Sequence, residues 1–204
     1  MPRQLPLEIS PPAEPALDNF IPGANAEALE SVRSLAAGTL REAILYLWGE
    51  LGSGRSHLLG AAARANPALT VIDDVETLDA AGQQALFLAI NAARDGHGAV
   101  LVSGKSPPAG LALREDVRTR LGWGLVYQLR PLTDADKAVH LRAEASRRGL
   151  RLADEAVWYL LHHLPRDVAS LNAALDLLDR HSLASQRRVT LPLIREALSQ
   201  GNDG

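Results

Sequence analysis

Apolar positions fall into three regimes along the chain. Residues 1–17 carry Pro2, Pro6, Pro11, Pro12 and Pro15. Each fixes φ and removes a backbone donor, so this stretch predicts an extended, flexible arm in place of a helix or central strand. Beyond it the spacing becomes regular. Residues 25–37, NAEALESVRSLAA, repeat apolar side chains at helical intervals, with Asn25 placed to cap the helix. Short unbroken apolar runs then alternate with helical stretches. AILYLW (43–48), LTVI (69–72), GAVLVSG (98–104) and GLVYQL (124–129) predict buried parallel strands, with RSHLLGAAARA and AGQQALFLAINAARD as helices between them. After Pro131 only helical spacing remains, starting with DADKAVHLRAEASRRG, which Thr133 or Asp134 would cap and Gly149 would end.

This order predicts an α/β fold: a parallel sheet flanked by helices, ligands at the carboxyl ends of its strands, and an all-helical C-terminal lid. The boundaries read as 1–17 for the arm, 18–131 for the α/β part and 132–204 for the helical part. The size of 204 residues suits one ordinary domain, or a core domain plus a small lid.

Composition narrows the function. Hydrophobic residues make up 47% and charged residues 22%, the balance of a globular protein. A formal charge of −3 gives no basic field for gripping DNA phosphates directly. Cysteine is absent, which excludes thiol nucleophiles and thiolate metal sites. The N-terminus lacks a signal-peptide core and no apolar run is long enough for a membrane span, so the expected location is cytoplasmic, with no membrane partner. The six histidines show no zinc-site spacing.

The chemistry centres on GELGSGRS, residues 49–56. Gly49, Gly54 and Ser56 stand where a phosphate-binding loop G-x-x-x-x-G-K-[ST] needs them, between a strand and a helix. Backbone amides of Leu51, Gly52, Ser53, Gly54, Arg55 and Ser56 would converge on a phosphate, aided by the helix N-terminus, and Ser56 would hold Mg²⁺. Arg55 replaces the lysine: it keeps the charge but is longer and planar. This predicts retained nucleotide affinity with weakened hydrolysis. Asp73 and Asp74 end an apolar strand, the first suited to Mg²⁺ and the second to orienting or activating water, although acidic pairs also begin turns. Arg114, Arg118 and Arg120 precede a strand; an arginine finger and a solvated basic turn both fit them. Arg166 opens a helix of the lid, and the peptide Gln4, Leu5, Leu7, Ile9 fits either a partner's groove or a tail.

Together and in order, LDNFIPGAN (17–25), GELGSGRSHLL (49–59), VIDDVETL (71–78), VSGKSPP (102–108), RTRLGWGLVYQLRPL (118–132) and LPRDVASLNAALDLLDRHSL (164–183) resemble the DnaA/Hda family of AAA+ ATPases. The arginine in GRSHLL, and the lack of DNA-binding helices after the lid, look more like the Hda branch than the initiators. The resemblance implies an ADP-bound adaptor (or ATP-bound), with Mg²⁺, that regulates replication initiation negatively. Held by the DNA-loaded sliding clamp, and touching DNA only through it, such a protein stimulates ATP hydrolysis by DnaA. Arg120 would be the finger supplied in trans, Arg166 the lid's sensor arginine, and Phe20 and Ile21 the residues enclosing adenine. His57 would lie beside the nucleotide, and Gln4, Leu5, Leu7 and Ile9 would enter the clamp. A homodimer covering Arg120 is also implied.

Two departures stand out. Residues 66–68, NPA, leave no room between Arg55 and Asp73 for the strand and helix that the family places there, which predicts a sheet that lacks one strand or is shortened. Lys105 stands where the family has an acidic residue, a second reason to expect weak intrinsic hydrolysis. Two rivals keep different predictions: a self-sufficient ATPase acting as a loader or remodeller, with appreciable turnover, and a nucleotide-free scaffold bridging clamp and partner.

Overall fold

The computed structural model describes residues 14–164, 168–185 and 190–200. Residues Glu14–Leu132 form one compact unit, and the chain from Thr133 belongs to a second.

The first unit is a parallel sheet between two helical layers. Strands β1 (Ile44–Gly49), β2 (Thr70–Ile72), β3 (Val100–Gly104) and β4 (Leu125–Leu129) take the order β2-β3-β1-β4. Alternation along β1 sorts the two cores, because successive side chains of a strand point to opposite faces. Leu45 and Leu47 join Leu101 and Leu129 in the core closed by helices α1 (Ala26–Ala36) and α2 (Arg55–Ala65). Ile44 and Tyr46 join Val100 and Val102 beneath α3 (Ala80–Arg94) and α4 (Glu115–Leu121). β1 lies between β3 and β4, so the loop leaving its carboxyl end sits where the strand order changes direction, the usual ligand position of open α/β sheets.

Among these residues α2 leads straight into β2, through a turn in which Asn66 Oδ1 accepts from the Ala68 N–H at 3.0 Å. The extra strand and helix of the family are absent there, as the short spacing predicts. Asn25 departs from its expected role. Its side chain caps nothing; it is buried and holds the backbone of Arg130 in a two-way pair, donating to the carbonyl and accepting from the N–H, each at 2.8 Å. The competing demand came from the end of β4, whose backbone groups lie beyond the sheet. Residues 14–17, read as part of the arm, are packed: Leu17 rests on the α1–α2 core and Glu14 pairs with Arg64 of α2. Apolar burial and an ion pair outweigh the extended tendency of Pro15.

The second unit is helical: α5 (Asp134–Arg147), α6 (Asp154–His163), α7 (Val168–Ser185) and α8 (Leu191–Gln200). Thr133 caps α5 in a reciprocal box with Asp136, and Gly149, at φ +74°, follows its end. Leu141, Leu160, Leu161, Leu171, Leu175, Leu178 and Ile194 form its core. Arg148 ties α5 to α7 through Asp176 at 2.7 Å and also pairs with Glu144.

Candidate functional site

The loop after β1 takes the shape its glycines permit. Gly52 and Gly54 have φ of +80° and +95°, the left-handed region that a side chain makes costly. A Cβ on Gly54 would stand 2.7 Å from the Phe20 ring, and one on Gly49 would stand 2.8 Å from Ser53 Oγ. Leu51 projects from the tip, 95% exposed, whereas Ser53 is only 4% exposed and its Oγ has no hydrogen-bond partner among the described residues. Arg55 and Ser56 open α2, so their backbone N–H groups belong to the unpaired first turn. Phe20 leans on this turn, its ring 5.6 Å from that of His57, whose Nε2 lies 3.1 Å from the Ala16 carbonyl.

Across the loop, β2 delivers the acidic pair. Asp73 accepts hydrogen bonds from the Ser103 hydroxyl and the Asp74 N–H, and the nearby Ser56 hydroxyl also favours its ionised form. Burial alone would raise its pKa; these bonds, with the charge of Arg55, outweigh it and hold the carboxyl below its usual value. Asp74 sits at φ +46°, the one non-glycine residue with positive φ among those described. That turn directs its carboxylate to Arg55, with Nη1 and Oδ1 at 3.1 Å. Arg55 is 7% exposed, and neither Nη1 nor Asp74 Oδ1 makes a hydrogen bond of good geometry.

Beside this pair, Lys105 lies 3.6 Å from Glu76, whose two carboxylate oxygens accept no hydrogen bond. Tyr46 reaches the same pocket and donates to the Ser106 carbonyl at 2.7 Å. Burial first, and then the Glu76 charge, push the Tyr46 phenol far up, against the opposing pull of Arg55.

The three arginines of the α4 segment separate clearly. Arg114 is committed to Asp116 and to Gln84 Oε1, at 2.6 and 2.7 Å. The Arg118 side chain makes no hydrogen bond or ion pair among the described residues. Arg120 is fixed without a direct ion pair among the described residues, although its charge helps hold the Asp116 carboxyl below its usual value, after the larger effect of Arg114. Its Nε donates to Asn91 Oδ1 and its Nη1 to the Asp116 carbonyl, both at 3.1 Å, and its guanidinium lies 4.2 Å from the Phe87 ring centre and 4.8 Å from that of Trp123. No ion pair joins it to a described carboxylate.

Residues 134–198 match the family described as "Hda, lid domain". An uncharacterized protein of Haemophilus influenzae is 31% identical over 231 residues, spanning 98% of this chain and all of its own length. The chain belongs to the DnaA/Hda family of AAA+ proteins. Its fold is similar to domain III of the Thermotoga maritima replication initiation protein DnaA, at TM-score 0.65 and 18% identity over 96% of this chain and 100% of that one. AMPPCP-bound DnaA from Aquifex aeolicus aligns at TM-score 0.64 and 20% identity over 81% of this chain and 65% of its own.

In this family member the structure brings together Gly49, Gly52, Ser53, Gly54, Arg55, Ser56, Asp73, Asp74, His57 and Phe20. Ile21 is half-buried beside Phe20. Arg166, and Gln4, Leu5, Leu7 and Ile9, lie outside the described residues. The group at the loop fits a nucleotide phosphate: an orphaned buried hydroxyl, a guanidinium with an unused donor, and glycines where a Cβ would intrude. It fits Mg²⁺ less as a cage than as a partner to phosphate. No cluster of three acidic or histidine ligands exists among the described residues, and Mg²⁺ ordinarily combines one or two protein oxygens with phosphate and water. Sequence reasoning missed Ser103, Glu76, Asn91, Phe87 and Trp123. A serine inside an apolar strand run was the visible signal for the first. For Phe87, Asn91 and Arg94 it was recurrence on one helical face.

Proposed function

We propose that this chain is a DnaA-related negative regulator of replication initiation, an adaptor that holds ADP and supplies Arg120 in trans to ATP on an initiator. The observation that carries this reading is the contrast between its two arginines. Arg55 is bound to Asp74, the acid expected to act on water in its own pocket, whereas Arg120 is fixed by an amide and a carbonyl and makes no direct ion pair with a described carboxylate. A donor held in place before charge develops stabilises that charge without reorganisation.

In the chain's own pocket, Ser53 Oγ, the first amides of α2 and Arg55 would hold the phosphates, with Phe20 and Ile21 toward the base; Arg166 is proposed as a further nucleotide-binding residue. Ser56 and Asp73 would hold Mg²⁺, which when bound neutralises phosphate charge. Lys105, turned to Glu76, brings a positive charge where the family has an acidic one, which supports weak intrinsic turnover. The peptide Gln4, Leu5, Leu7, Ile9 would join the sliding clamp, so DNA is met only through it. No described helix is long and apolar enough to cross a membrane; a cytoplasmic, nucleoid-associated place suits the proposed partners.

The test is ATP hydrolysis by the initiator with clamp-loaded DNA and this protein. Arg120→Ala is expected to lower the stimulated rate by about 10³-fold, the lower end for arginine fingers. Stimulation that survives the substitution would remove the assignment. Appreciable turnover by the isolated protein, lost in Asp74→Asn, would favour a self-sufficient ATPase; partner binding indifferent to ADP would favour a nucleotide-free scaffold.

A further inference from the structure

The surroundings of Arg120 are more organised than a surface arginine requires. Phe87, Asn91 and Arg94 recur along one face of α3, and each meets a group of the α4 segment. Phe87 underlies the Arg120 guanidinium at 4.2 Å; Asn91 accepts from its Nε at 3.1 Å; Arg94 lies 4.5 Å from the Trp123 ring, against which Arg120 also rests at 4.8 Å. The Asp116 carbonyl takes one Nη1 hydrogen. These contacts use Nε, part of Nη1 and the ring faces, and none uses Nη2. The hydrogen-bond partners of Arg120 are an amide and a carbonyl, so they orient the cation without a direct ion pair, and the Asp116 carboxylate acts on it only at longer range. Arg114, on the same Phe87 ring at 5.8 Å, takes its carboxylate from Asp116 and is neutralised.

We infer that Phe87, Asn91 and Trp123 are positioning residues that preorganise Arg120 for the partner's phosphate, making the α3 face part of the stimulating machinery. This rests on the trans-acting reading above. A long arginine side chain that is loose before docking must be ordered during the reaction; one already fixed by two rings and an amide need not be. Arg118, a neighbour without that support, lacks the same advantage.

The test has two arms. In the first, initiator hydrolysis is measured against increasing concentrations of this protein. Trp123→Leu and Asn91→Ala are expected to lower the maximal stimulated rate about tenfold, within the range that small misplacements cost, with the half-saturating concentration unchanged. Trp123→Phe is expected to restore most of the rate. In an Arg120→Ala background, Asn91→Ala should add no further loss, because the two act as a unit. An unchanged maximal rate in Trp123→Leu and Asn91→Ala overturns the inference. So does a change confined to the half-saturating concentration, which would make these residues docking contacts. Absence of stimulation by the wild type overturns the parent reading instead. The second arm needs no partner. The Nε–H resonance of Arg120, assigned by its loss in Arg120→Lys, should be displaced by the ring currents of Phe87 and Trp123 and move back in Trp123→Leu. A resonance at the position of a solvated arginine in the wild type overturns the positioning.

Discussion

Arg55 and Asp74 define a competition inside the pocket. The guanidinium is buried against a carboxylate that is itself partly open to water, so the pair contributes modestly, about 1 kcal/mol. A phosphate entering the loop offers Arg55 a stronger, doubly acceptor-rich partner. Replacing Asp74 by Asn removes the rival anion, and ADP affinity measured by calorimetry in EDTA is expected to tighten roughly fivefold. Replacing Arg55 by Ala removes a charge-assisted donor and is expected to weaken ADP by about 2 kcal/mol. Opposite signs for two partners of one ion pair distinguish this arrangement from a purely structural bridge, in which both losses would act alike.

At the level of elements, two contacts fix where the helices sit. Asn25, before α1, satisfies both backbone groups of Arg130 just past β4. Asn25→Ala leaves that part-buried pair without its protein partner, and urea unfolding is expected to show a loss of about 1 kcal/mol. In the helical unit, Glu144 of α5 meets Arg147 and Arg148. Burial works against its ionisation, but the bonds and charges of the two arginines win, and its carboxyl lies below the usual 4.5. A depressed folded value means stability that is present above 4.5 and lost as the pH falls through and below it. Thermal melts of the wild type are expected to decline more steeply with acidification below that point than those of Glu144→Gln, which starts less stable at neutral pH.

For the whole molecule, the proposed activity needs two surfaces at once: a clamp peptide and a finger. Replacing Leu5 and Leu7 by alanine is expected to abolish clamp-dependent stimulation while leaving ADP binding at the wild-type value, which calorimetry and the hydrolysis assay check together. Loss of ADP binding in that variant would place the peptide in the nucleotide pocket instead. Light scattering with and without ADP tests whether a homodimer covers Arg120.

Much of this was legible along the chain. Helical spacing, apolar runs and the Gly49–Ser56 loop name their own structures, because backbone preference and side-chain periodicity act over a few residues. Thr133 as a cap and the short link from α2 to β2 were readable for the same reason. Other features depended on distance in space. Asn25 looked like a cap and became a tie to Arg130, since nothing near it in sequence reveals an unpaired backbone across the sheet. Asp74 was readable as an acid at a strand end, but its ion pair with Arg55 was not, because the two lie far apart along the chain. Spacing alone left Arg120 one of three similar arginines, and only the family resemblance singled it out; its seat against Phe87 and Asn91 was visible only once α3 packed beside it. Which elements form follows from local energetics; which charge is cancelled and which is kept depends on packing that joins residues far apart along the chain.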